Sequence, residues 1–172
     1  LNHNEIDKLG LERQAAELFG QCFAEEFQVQ FAFISHNVPR KPDVTCYVDN
    51  QLVDIEIAHL YGSQAEAQRI LGKSLSKETR EELCALERDG DTDLRLIKAL
   101  NRILSNKSAK RYDSKNVWLV IRNANPNWDK ASILGLCDRI HVPASHPFTQ
   151  IWLLGDFFGA SGLIRLYPKK QP

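Results

Sequence analysis

Apolar and polar residues alternate along this chain with two different periods, and the switches between them mark its elements. Ile6, Leu9, Ala16, Leu18 and Phe19 recur at helical spacing and predict a helix over residues 4–20, with Gly20 weakening its end. The run FQVQFAFI, residues 27–34, alternates and is rich in aromatic and β-branched side chains, so it predicts a strand. A polar, Pro-broken connection, SHNVPRKPD, follows. Two short strands come next, Val44–Val48 and Leu52–Ala58, joined through Asp49-Asn50-Gln51 as a hairpin turn. Residues 63–88 read as a helix with a charged, solvated second half, ended by Asp89-Gly90-Asp91. Asp91 or Thr92 can cap the next helix, DLRLIKALNRIL, whose apolar stripe is strong. A basic connection, NKSAKRYDSK, leads into VWLVI, an apolar run expected to be a buried strand. A loop over Asn123–Asn127 and a helix over 129–140 follow. TQIWLLGDF and GLIRLYP then read as two strands joined by a Gly-rich turn.

This order of elements predicts an α/β fold with a central sheet flanked by helices. A chain of 172 residues fits a single domain, 1–172, and is long enough to bury a core without a metal or disulfide. Its 43% hydrophobic and 26% charged residues are ordinary for a globular protein. Lys plus Arg equals Asp plus Glu, 22 of each, which argues against a protein that coats nucleic acid non-specifically while leaving room for one local basic patch. Cys22, Cys46, Cys84 and Cys137 are widely spaced, with no zinc or redox pairing, and read as small buried thiols in a reducing compartment. No apolar run reaches the length of a membrane span and no signal peptide is visible, so the expectation is a cytoplasmic protein without membrane contact. The sequence begins at Leu1 and contains no Met, which leaves room for a trimmed start, a leader or an upstream domain.

The candidate chemistry lies in the hairpin. In LVDIEIA, Leu52, Asp54, Glu56 and Ala58 share one strand face, with Val53, Ile55 and Ile57 on the other. Asp43 begins the partner strand, so the hairpin can bring Asp43 and Glu56 side by side. Adjacent carboxylates raise each other's pKa unless a cation lies between them. A hard divalent cation such as Mg²⁺ takes one or two carboxylates, with water and phosphate oxygens completing its shell.

The segment P-D-V-T-C-Y-V-D-N-Q-L-V-D-I-E-I-A, residues 42–58, resembles the signature of the PD-(D/E)xK, or restriction endonuclease-like, nuclease superfamily. The resemblance is sharpest over residues 38–60. It implies a restriction endonuclease-like core over about residues 4–122, with a variable, strand-rich C-terminal extension over 123–172. It further implies Mg²⁺- or Mn²⁺-dependent hydrolysis of phosphodiester bonds, with DNA as the expected substrate. Asp43 and Glu56 would be the main catalytic, metal-binding acids, and Asp54 a further ligand. The family often adds a carboxylate from its first helix; Glu12 and Glu17 are the candidates, with Glu17 preferred. Related enzymes also use a glutamine on the helix after the acidic strand, where Gln64 and Gln68 lie.

One departure stands out. Aligning Glu56 with the second acid puts Ala58 where the motif has lysine. In an alternative register Asp54 is the second acid and Glu56 replaces the lysine. A relocated catalytic lysine would come from Lys73, Lys107 or Lys110, with Lys107 or Lys110 favoured by other apparent members that lack the strand lysine. Lys73, Gln68, Lys107, Lys110, Arg111 and Lys115 are the candidate nucleic-acid contacts, and Tyr112 beside Arg111 would suit a backbone. The alternative reading for the lysines is a solvated helix end. For Asp54 and Glu56 it is a charged sheet edge. His59 is expected to face away from Glu56, His141 and His146 match no metal motif, and Trp118, Trp128 and Trp152 are expected in the core. The missing lysine and zero net charge also fit an inactive member of the same fold that binds nucleic acid or a protein partner. A third reading is an accessory or immunity-type interaction module whose acids are surface decoration, and a protein partner or a homodimer is compatible with the sequence.

Overall fold

The computed structural model describes residues 2–72 and 74–171. Six strands form one mixed sheet in sequence order: β1 (Phe31–His36), β2 (Val44–Val48), β3 (Gln51–Leu60), β4 (Val117–Asn123), β5 (Gln150–Leu154) and β6 (Leu163–Tyr167). The first three form an antiparallel meander, β4 and β5 add in parallel, and β6 closes the far edge antiparallel. The fold class is therefore α/β, as the sequence predicts, and the strands of the C-terminal segment continue the same sheet.

Helix α1 (His3–Phe27) packs on one face of the sheet, where Ala15, Ala16, Phe19 and Phe23 meet Ile55, Ile57, Trp118, Val120 and Trp152. Parallel strands require a crossover. The β3–β4 crossover carries α2 (Gln64–Leu71), α3 (Lys77–Glu87) and α4 (Thr92–Ser108), which cover the other face. There Leu83, Leu96, Leu100 and Leu104 pack on Leu60, Leu119 and Ile121. Strand alternation explains the division: on β4, Val117, Leu119 and Ile121 go to one core, Trp118 and Val120 to the other. Trp118, Trp128 and Trp152 are all buried, as expected.

Strands β1, β3 and β4 and helix α4 run a few residues beyond their expected ends, and four further boundaries differ from the sequence reading in kind. Helix α1 runs through Gly20 to Phe27, because the Phe31 ring packs onto Gly20 where a side chain would stand; tertiary packing outweighs the weak local propensity. Its apolar stripe is accordingly Ala15, Ala16, Phe19 and Phe23, and Ile6 is exposed. The strand expected from residue 27 starts at Phe31, because Gln28 adopts a left-handed conformation that ends the helix. The helix expected over 63–88 is two helices, since Gly72 takes the left-handed cap and Ser76 starts the next with its own side-chain cap. The helix expected over 129–140 is the short α5 (Lys130–Leu134) followed by a 3₁₀ turn at Cys137–Arg139. The hairpin turn falls where it was read but is one residue shorter: Asp49 and Asn50, both at positive φ, form it, and Gln51 already belongs to β3, paired with Val48.

One feature of the sheet sets the position of the candidate site. β2 pairs with Gln51–Ile55, whereas β4 pairs with Asp54–Leu60. Beyond Ile55, β3 therefore continues with no β2 residue beside it.

The two glycines of α1 should respond oppositely to alanine. A Cβ at Gly10 meets open space, so Gly10→Ala should stabilise by roughly 0.5–1 kcal/mol through helix propensity. A Cβ at Gly20 would fall within the Phe31 ring, and Gly20→Ala should destabilise by about 1–3 kcal/mol. Urea unfolding of both variants measures the two signs; a stabilised Gly20→Ala protein would mean the ring does not sit there.

Candidate functional site

The site forms where β2 begins and β3 outruns it. Asn37 holds the approach to β2: its amide nitrogen donates to the Pro42 carbonyl at 2.9 Å, and its backbone N–H donates to the Asp43 carbonyl at 3.0 Å. Asp43 is thereby aimed across the gap, and its carboxylate accepts the backbone N–H of Ile57 at 2.8 Å. A side-chain oxygen thus pairs with a β3 amide beyond the β2 ladder.

Glu56 points from β3 to the face covered by α4 and is only 5% exposed. A buried carboxylate needs a partner. Lys107, in the last turn of α4, brings Nζ to 2.7 Å from its Oε1 and also reaches the Ile57 carbonyl at 3.5 Å. Lys110, more exposed, stands 3.7 Å from the same oxygen. Both cations lie at the carbonyl end of the helix, which its dipole favours. Ala58, at the motif's lysine position, is buried in the core between the sheet and the crossover helices. An ammonium at that position would be held among apolar side chains, whereas α4 delivers one from the side.

The carboxylates sense each other. Burial, then the charge of Glu56, push the Asp43 carboxyl above its ordinary range, against the opposing pull of the Ile57 N–H, Lys107 and Lys8. Glu12 of α1 is also raised, first by burial, then by Asp43 and more weakly by Glu56, with Lys8 at 3.4 Å drawing it back. The Tyr112 hydroxyl is buried close to Glu56 without meeting hydrogen-bond geometry, and burial followed by the Glu56 charge holds its proton on.

The structure therefore brings together Asp43, Glu56, Lys107 and Lys110, and adds Glu12, Lys8 and Tyr112. On α1 the acid facing the pair is Glu12. Glu17, the preferred helical acid of the sequence reading, lies half-exposed and pairs with Arg13 at 2.9 Å instead. The signal was present: Glu12 falls on the stripe of Ala16, Phe19 and Phe23, and an acid on a buried stripe needs a reason. Asp54 is occupied by a short hydrogen bond from the Thr45 hydroxyl on β2, and it is the Glu56 charge that acts on Asp43. Gln64 is tied to Glu87 of α3 through its backbone and side-chain nitrogens, and Gln68 is exposed on α2. Arg111 and Lys115 are exposed after α4. Lys73 lies outside the described residues. Burial, then the charges of Arg122 and Lys107, lower the pKa of His59 to about 3, so its ring is neutral.

The donors that Asp43 and Glu56 offer are carboxylate oxygens, the type a hard divalent cation takes. Among the described residues no group of three His, Cys, Asp or Glu side chains is gathered to hold a metal ion. Asp43 and Glu56 would supply at most two protein ligands to such an ion, with water and substrate oxygens left to complete its shell. The four cysteines are unpaired thiols; Cys46 is buried as expected, whereas Cys22, Cys84 and Cys137 are partly exposed, so burial was expected for more of them than the structure shows. No helix among the described residues is long and apolar enough to cross a membrane.

The raised carboxyls predict a particular pH dependence. A carboxyl whose folded pKa lies above its unfolded value binds more protons when folded, so stability falls as pH rises through that window. Asp43→Asn keeps an acceptor for the Ile57 N–H and removes the charge. Its melting temperature should exceed that of the parent at neutral pH, and the difference should shrink as pH falls into the raised carboxyl range. Glu12→Gln should behave likewise. Thermal melts across pH test this; an advantage that grows on acidification would contradict the shared burial of these acids.

Comparison with protein-family models, with curated proteins and with solved structures returned no match, so the reading of function rests on the arrangement of these side chains.

Proposed function

We propose that the chain is a metal-dependent nuclease of the PD-(D/E)xK type that hydrolyses phosphodiester bonds in DNA. The observation that carries this reading is the Lys107 ammonium, 2.7 Å from Glu56, in a chain whose motif lysine is replaced by Ala58. An acid pair with a lysine brought from another element restores the charge pattern of the motif. The order helix, strand, hairpin, helix, strand agrees with the resemblance in the sequence.

In this reading Asp43 and Glu56 hold Mg²⁺ or Mn²⁺. When bound, the cation lowers the pKa of a water and offsets charge that develops on phosphate. Asp43 is held in place by the Ile57 N–H, which leaves its other oxygen for the cation. Lys107 positions Glu56 and directs positive charge to where the attacking and leaving oxygens become more anionic. Lys110, freer in solvent, meets a phosphate oxygen. Tyr112, kept protonated beside Glu56, offers a neutral donor. Glu12 adds negative charge behind Asp43, which strengthens cation binding.

A second reading has its own support. Lys107 already compensates Glu56, and among the described residues no three His, Cys, Asp or Glu side chains are arranged to hold a metal ion. That arrangement suits an inactive module of the same fold, binding nucleic acid or a protein partner.

Metal titration separates the two. For the nuclease, Mg²⁺ or Mn²⁺ should raise the melting temperature of the parent, because a ligand that binds only the folded state stabilises it. Asp43→Asn should abolish that rise and the nicking of plasmid DNA. Lys107→Ala should keep the metal-induced rise and cut turnover by about 100-fold or more, the scale for loss of one transition-state contact. Cleavage that needs no metal and survives Asp43→Asn would sink the mechanism. Absence of cleavage on DNA and RNA, with no thermal response to metal, would establish the inactive module instead.

A further inference from the structure

The C-terminal segment contributes more than two strands. Between the end of α4 and residues 143–147 lies a groove of about 660 Å³, whose lining includes Ser105, Ser108, Lys110, Arg111, Ser145 and His146. These are hydroxyls, cations and an imidazole. The groove shares Lys110 and Tyr112 with the Asp43–Glu56 site, so a ligand lying in it continues directly to the acids.

His146 is set in one tautomer. Its Nδ1 accepts the backbone N–H of Phe148 at 3.2 Å, so the neutral ring carries its proton on Nε2 as a donor. Burial lowers its pKa, which favours that neutral form. The ring is fixed by stacking on Phe148 at 6.0 Å and by an edge contact with Tyr167 at 4.4 Å. A second basic stretch converges on the same region from far away in sequence. The Asp113 N–H donates to the Arg40 carbonyl at 2.8 Å, which ties the exposed Arg40-Lys41 loop to the segment that follows Arg111. Arg40 holds φ at 79°, an unusual conformation for a non-glycine residue, at this junction.

We propose that this groove binds the phosphodiester backbone of a nucleic-acid strand flanking the Asp43–Glu56 pair, with Arg111, Ser145 and the Nε2–H of His146 as its phosphate contacts. The proposal rests on the reading that the acid pair acts on nucleic acid, and it names where the strand runs. Several donors along one groove, with the exposed Arg40-Lys41 loop tied to the chain beside it, suit a polymer with repeated phosphates. Contacts of this kind fix a strand's position and carry little sequence information.

The test is fluorescence anisotropy of a labelled DNA duplex and a labelled single strand across a salt series, with Ca²⁺ present as a divalent cation of the same ligand preference. Arg111→Ala should weaken binding about 5- to 10-fold and flatten the salt dependence by about one counterion. His146→Phe keeps the ring packing but removes the donor. It should weaken binding with the salt slope unchanged, and His146→Gln, which can accept from Phe148 and donate outward, should recover most of it. Melting temperatures of the variants check that each is folded. If the parent binds DNA while folded Arg111→Ala and His146→Phe match its affinity and salt slope, the groove assignment is overturned and the acid-pair reading stands. If neither DNA form binds the parent, the nucleic-acid reading falls and takes the groove with it. Stabilisation of the parent by inorganic phosphate without oligonucleotide binding would reassign the groove to a small phosphorylated ligand and likewise overturn the proposal.

Discussion

The ion pair between Glu56 and Lys107 is the constraint around which the rest of this molecule is arranged. A carboxylate that is 5% exposed in a central strand would be costly alone. Removing one member of such a pair leaves an uncompensated buried charge, a loss of about 3–5 kcal/mol in buried examples. The end of α4 must therefore lie over the middle of β3. That placement fixes how the crossover descends to β4, and it puts Lys110 and Tyr112 beside the same carboxylate. Pairing by itself does not prove function, since buried ion pairs contribute little net stability. Its meaning comes from the company: burial and the charge of Glu56 raise a second carboxyl, Asp43, and burial with the charges of Asp43 and Glu56 raises a third, Glu12. A protein gathers like charges only where the fold over-determines their positions, and such sites are where function is expected.

The sequence made the hairpin legible because its signals are local. Alternation in VTCYV and LVDIEIA, and two turn-formers between them, fix both strands and their register within a few residues. The pairing of acid and lysine was partly legible, because Lys107 and Lys110 lie at and just beyond the end of a strongly amphipathic helix that precedes a strand. What failed were features decided across space. Gly20 carries helical continuity only because Phe31 packs on it, and Glu12 rather than Glu17 faces the acids only because of how α1 rotates onto the sheet. The break between α2 and α3 was a local signal, Gly72, hidden within an otherwise continuous helical pattern. The resemblance to a nuclease motif pointed to Asp43 and Glu56; the separation of their roles from that of Asp54 needed the Thr45 hydroxyl in place.

Two stretches that read as mere connections prove to be structural joints. The Pro-broken loop before Asp43 is pinned internally by Asn37 and externally by the Asp113 amide. The basic linker after α4 supplies Tyr112, which contacts Phe148 at the entry to β5. Such segments carry few apolar residues, so periodicity is silent about them; their order comes from polar side chains meeting backbone groups.

The span between Glu56 and Lys107 has a consequence for how the protein comes into being. The two partners are 51 residues apart in the chain, separated by the entire helical crossover. During synthesis from the N-terminus the β2–β3 hairpin emerges with its acids well before their lysine exists. Until α4 docks, Glu56 has to remain hydrated, which opposes closure of that face of the sheet. Charge neutralisation and core formation are thus a single late event: the nascent chain cannot bury its acids before the whole crossover is made.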